Sequence, residues 1–230
     1  MIDWRNKMNM YEYEQKRETL FAEWKEEQSK EPDESYAKYG AENVSKVSFI
    51  YDGIVCPETF ESQEERILFI SKESNYGGAD KNYEFCASGN DFWLKNVYFR
   101  TKSETMFSQR LSLLSNAIIN NDFITINKNH ESLGKVSFIN LNKRGGYSQS
   151  YWKTIREYTK TYGKYIAREI DIINPTLIVC CGKWLKYYLE KFVVAPNRYK
   201  IIEVYHPSYY VKSDADHLKK LKEELNKEQK

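Results

Sequence analysis

Much that would classify a chain at once is missing from this one. Its four cysteines (Cys56, Cys86, Cys180, Cys181) show no C-x-x-C spacing, so nothing points to a paired-thiolate metal or redox site, and no metal is expected. No apolar span is long enough for a membrane helix, and no N-terminal stretch reads as a cleavable signal. These absences predict a cytoplasmic chain with reduced thiols and no membrane contact. No internal repeat is visible. Charge of one sign is lacking too: 35 Lys and Arg against 33 Asp and Glu leave a net +2. That balance neither demands nor excludes a polyanionic partner, because a basic face hides easily inside even totals.

The 230 residues suit one domain, or a domain with an N-terminal extension. Such a chain can bury a sizeable core without a metal or disulfide staple. Nineteen Tyr and five Trp are conspicuous, since aromatics with polar tips suit half-buried sites that meet a ligand. Residues 1–45 are highly charged, with Leu20, Phe21 and Trp24 at amphipathic-helix spacing before Glu31-Pro32-Asp33 stops the pattern. They read as a helical extension docked on a body formed by residues 46–230, with a partner-binding arm as the other reading.

Four short apolar runs in that body predict strands: Ile67–Ile70, Val136–Ile139, Thr176–Cys181 after Pro175, and Ile201–Tyr205. Successive apolar, often β-branched residues are the mark of strands buried on both faces. Glu203 interrupts the last run and predicts an edge strand. Helical spacing of apolar residues falls between and after them, over 104–120, 150–172 and 183–193, and in a C-terminal stretch with Leu218, Leu221 and Leu225 behind a Ser213/Asp216 capping box. Alternating strands and helices predict an α/β three-layer sandwich, a central four-stranded parallel sheet flanked by helices.

Parallel sheets bind ligands beyond the carboxyl ends of their strands. After the first run come Ser71-Lys72-Glu73-Ser74-Asn75-Tyr76-Gly77-Gly78, and after the second Asn140-Leu141-Asn142-Lys143-Arg144-Gly145-Gly146. Gly182-Lys183 follows the third and His206-Pro207-Ser208 the fourth. A carboxylate, a carboxamide, an imidazole and several phosphate-friendly groups are thereby expected along one edge. Each has a plainer reading by itself: Gly182 as a turn, Asn140 as a loop cap, His206 as structural, Lys72-Glu73 as a solvated pair.

The ordered set over roughly residues 65–210 resembles the uracil-DNA glycosylase superfamily. In that fold a catalytic motif follows the first strand and His-Pro-Ser follows the last. The resemblance implies catalytic roles for Glu73 and His206, and base recognition by Asn140 with Asn75. A stacking aromatic is implied at Tyr76 or Phe85. It further implies phosphate contacts from Ser74, Lys143, Arg144 and Ser208, and a duplex wedge from Tyr209 and Tyr210. DNA is the partner implied, with no cofactor and a monomeric enzyme. The chain departs from the pattern where the family has a Gly and then Asp or Asn with Pro, since Ser71-Lys72-Glu73-Ser74 stands there. The paired N-terminal Cys of iron–sulfur branches are missing as well. Two alternatives stay open: a nucleic-acid or nucleotide-binding module on the same fold, and a small-molecule N-glycoside hydrolase.

Overall fold

The computed structural model describes residues 10–32, 49–75, 105–146 and 151–227, apart from the side chains of Met10, Ser74, Asn75, Gly145 and Gly146. Tyr76 and Phe85 lie outside the described residues, as do the side chains of Ser74 and Asn75.

The apolar runs pair because each is buried on both faces. β2 (Ile67–Asn75), β3 (Ser137–Gly146), β4 (Leu177–Cys181) and β5 (Lys200–Val204) are parallel neighbours. All five residues of β4 are buried. A two-residue strand, β1 (Gly53–Ile54), adds antiparallel to the outer side of β3. Among the described residues the expected all-parallel sheet of four is therefore a mixed sheet of five, in the order β1-β3-β2-β4-β5. Two residues carry no periodicity, so β1 exists only because the open edge of β3 offers it partners. β5 occupies the opposite edge, with Glu203 partly exposed.

β2 and β3 also run further than their apolar cores. Ser71 pairs with Asn140, Glu73 with Asn142 and Asn75 with Gly146, with a register shift between Glu73 and Asn75. Residues expected in loops thus remain in strands, because the backbone ladder continues irrespective of side-chain polarity.

Helices cover both faces. α1 (Met10–Ser29), α4 (Trp152–Ile173) and α5 (Leu185–Phe192) pack on the face bearing Leu68, Ile70, Ile139, Leu141, Ile178 and Cys180. α3 (Met106–Ile119) and α6 (Asp214–Lys227) pack on the face bearing Phe69, Phe138, Val179 and Ile202. A one-turn α2 (Pro57–Phe60) precedes β2. Local chemistry sets the helix ends. Asn174 takes a left-handed φ of 51° and returns its N–H to Ile170 O at 2.8 Å, and Pro175 bars another turn. Ser213 and Asp216 cap α6 reciprocally: Asp216 N–H donates to Ser213 Oγ at 3.2 Å and Ser213 N–H to Asp216 Oδ2 at 2.9 Å.

α1 is bound into the body through aromatics. Trp24 is fully buried and stacks on Tyr165 of α4, centroids 5.6 Å apart at 12°. Tyr13, Leu20 and Phe21 are buried beside it.

Candidate functional site

Side chains alternate along a strand, so Ser71 and Glu73 of β2 share a face with Asn140 and Asn142 of β3. It is the face covered by α3 and α6. His206, two residues beyond the end of β5, reaches the same place: its Nε2 lies 3.3 Å from Ser71 Oγ. An imidazole, a carboxylate and two carboxamides from three strands therefore meet at the carboxyl end of the sheet, the edge where parallel sheets take ligands.

The protonation state of His206 follows from its partners. Ser208 donates its backbone N–H to Nδ1 at 3.2 Å. Nδ1 is thus the acceptor, and in the neutral ring Nε2 bears the hydrogen. Burial, followed by the charge of Lys72, pushes the imidazole pKa down to about 4. At neutral pH the ring is uncharged and offers one N–H. Phe107 of α3 lies against it with centroids 5.7 Å apart, and the same phenyl meets Phe138 at 5.9 Å.

One arginine holds the loop that carries this histidine. Arg110 of α3 is buried and donates through Nη1 to Pro207 O (3.1 Å) and Tyr209 O (2.8 Å), and through Nη2 to Lys212 O (2.7 Å). Its Nε donates to Asp214 Oδ1 at 3.0 Å. Three carbonyls of the 206–212 loop are thereby tied to the helix layer by a single planar group.

Asn140 is only 3% exposed, and its backbone N–H and Nδ2 both donate to Asp52 Oδ2, at 2.7 and 3.3 Å. Asp52 precedes β1 and is fully buried at the sheet edge. Glu73 is partly buried opposite Asn142, and Asn142 Oδ1 accepts the Arg144 N–H at 3.0 Å.

Two of the expected phosphate contacts point elsewhere. Lys143 is 0% exposed and lies on the other face of the sheet, its ammonium between Asp52 Oδ1 and Glu169, whose Oε2 is 2.8 Å away. The rings of Phe21 and Trp24 close over it at 5.6 and 5.4 Å. A cation sealed between two carboxylates and two aromatics cannot meet a phosphate. Burial in turn holds the Glu169 carboxyl well above its ordinary range, against the pull of Lys143. Arg144 is also buried; it pairs with Glu31 at 2.8 Å and lies over the rings of Tyr158 and Tyr162. Ser208 and Tyr209 are exposed at the site's rim.

Ser71, Asn142, Phe107, Arg110 and Asp52 were not singled out from sequence. Ser71 and Asn142 stand inside the polar runs that follow the apolar strand cores, and that position is a signal. Phe107 and Arg110 sit within a helix pattern, and Asp52 in no pattern, so nothing local marks them.

Among the described residues no three His, Cys, Asp or Glu side chains are grouped to hold a metal ion, and no helix is long and apolar enough to cross a membrane. Comparison of the sequence with protein-family models and with curated proteins finds no match.

Proposed function

We propose that this chain hydrolyses the N-glycosidic bond of uracil or a related damaged base in DNA, in the manner of the uracil-DNA glycosylase superfamily. The observation that carries the reading is the state of His206. A neutral imidazole with Nδ1 occupied and an Nε2–H that can turn from Ser71 Oγ, 3.3 Å away, to a ligand suits a departing base whose carbonyl oxygen gains negative charge. The parallel run β3-β2-β4-β5 between helix layers, with the Glu73 segment in the first of these strands by sequence and His-Pro-Ser after the last, supports that superfamily's fold as the finer description.

In the proposed reaction the C–N bond breaks and its electron pair leaves with the base, while the sugar becomes oxocarbenium-like. His206 Nε2–H stabilises the base anion. The Glu73 carboxylate stabilises the sugar cation and takes a proton from the water that attacks it. Asn140 offers a donor and an acceptor to the edge of the extruded base.

The test is base release from single- and double-stranded oligonucleotides carrying deoxyuridine, deoxyinosine or mismatches. The expected result is release by the wild-type protein, lost in Glu73→Ala and His206→Ala variants that keep the wild-type unfolding midpoint. Binding without release on every substrate would make the chain a nucleic-acid-binding module on this fold. Release from free nucleosides alone would make it a small-molecule hydrolase.

A further inference from the structure

After β4 the chain turns through Gly182, at φ 134°, and enters α5 by way of Trp184, at φ 74° and ψ −12°. A left-handed backbone is uncommon for any residue with a Cβ and a true outlier for a bulky aromatic one. The capping role does not call for tryptophan. The Trp184 carbonyl accepts the Tyr188 N–H at 2.9 Å, a bond that any residue supplies and that glycine would supply without strain. Nor does the indole serve the core, since Trp184 is 45% exposed.

Its surroundings are aromatic and basic. The Lys183 ammonium lies 5.0 Å over the indole. Tyr187, also exposed, stands edge-on to it at 6.2 Å and 75°, and Lys191 lies 5.2 Å over the Tyr187 ring. The carboxylate on this helix, Glu190, is within 3.8 Å of Lys186. The turn that leads into this patch meets the segment that carries His206. Gly182 N–H donates to Val204 O at 3.0 Å, and a Cβ on Gly182 would lie 3.8 Å from His206 Cβ.

We infer that Trp184, with Lys183, Tyr187 and Lys191, is a stacking platform for single-stranded DNA flanking the nucleotide that enters the His206 site. This rests on the function proposed above. Interleaved aromatic rings and lysines are what a sequence-tolerant single-strand surface requires: the rings take bases and the ammonium groups take phosphates. The exposed lysine–indole contact is weak, and a base covers more of the ring than an ammonium does. A base therefore displaces Lys183 from the indole, and the freed ammonium pairs with the neighbouring phosphate. Strain at Trp184 is retained because it keeps the indole outside the core.

The experiment measures anisotropy of a labelled deoxythymidine oligonucleotide, free of uracil, at low salt, alongside thermal unfolding. Trp184→Ala is expected to weaken binding roughly tenfold and Trp184→Phe far less, since stacking on one ring carries affinity of that order. Trp184→Gly is expected to weaken binding similarly while raising the unfolding temperature. Unchanged affinity in the Ala and Gly variants overturns the platform, even if wild-type protein releases uracil. Wild-type protein that does not bind the oligonucleotide, or binds the matching ribonucleotide more tightly, overturns it too. Trp184-dependent binding by a protein that releases no base supports the platform and sinks the enzymatic reading instead.

Discussion

Asp52 and Asn140 are joined twice through one oxygen: the backbone N–H and the carboxamide Nδ2 of Asn140 both donate to Asp52 Oδ2, at 2.7 and 3.3 Å. The other oxygen, Oδ1, holds the Lys143 ammonium on the opposite face of the sheet. One buried carboxylate at the sheet edge thus orients the carboxamide of the candidate site and neutralises a core cation. The Nδ2 donation fixes which way round the amide of Asn140 sits.

Replacing Asp52 with Ala strands Lys143 beside Glu169 alone and frees the Asn140 carboxamide to turn. Breaking a buried charge network from one side costs about 3–5 kcal/mol. Urea unfolding is expected to show a loss of that size for Asp52→Ala and a smaller one for Asp52→Asn, which keeps an acceptor. An Asp52→Ala protein as stable as wild type would show that the network contributes little.

The low pKa of His206 has a definite consequence for stability against pH. The unfolded chain takes up the proton near the ordinary value of about 6.5, and the folded chain only near about 4. The contribution of His206 to folding stability is therefore steady above pH ~6.5 and falls as pH drops toward about 4. His217, fully buried on α6, is shifted downward too, first by burial and then by Arg110, and loses stability in the same direction. Imidazole proton resonances of the native protein should show His206 unprotonated at pH 5. The fall in urea midpoint between pH 7 and pH 5 should shrink in His206→Gln without vanishing.

Arg110 holds the 206–212 loop through three carbonyls and Asp214. Arg110→Ala is expected to destabilise by about 3 kcal/mol or more, as loss of a buried ion-pair partner does. Arg110→Lys keeps the charge for Asp214 but not the planar fork, so its effect should be local. Amide exchange at Tyr209 and Lys212, whose N–H groups donate to His206 O and Tyr209 O, should accelerate more than exchange in β4. Equal acceleration everywhere would show a general loss of stability and no specific hold on the loop.

Trp24 is fully buried between α1 and α4 and contributes a ring over Lys143. Trp24→Ala should cost about 3–5 kcal/mol, as deletion of a large core aromatic does. Ile124 is 84% exposed, and Ile124→Ser should stay within about 0.5 kcal/mol. Denaturant midpoints of the two variants give the comparison. A Trp24→Ala change as mild as Ile124→Ser would mean that α1 is dispensable to the core.

The amino-acid sequence by itself determined the parts whose information is local. The runs at Ile67–Ile70 and Leu177–Cys181 are apolar on consecutive residues, and only a strand covered on both faces buries such a run. The Ser213/Asp216 box carries its own hydrogen-bonding partners within one turn. His206, Glu73 and Asn140 were legible as a group because residues just past the apolar runs of parallel strands collect at one end of the sheet. The tertiary structure alone decided β1, which needs the exposed ladder of β3, and the continuation of β2 and β3 through polar residues, which only pairing dictates. It also decided the fate of two cations. Lys143 finds Asp52 at a separation of 91 residues and Glu169 at 26, and Arg144 finds Glu31 at 113. A charge next to a strand looks solvated from sequence, because the carboxylates that allow its burial are distant in the chain and adjacent only after folding.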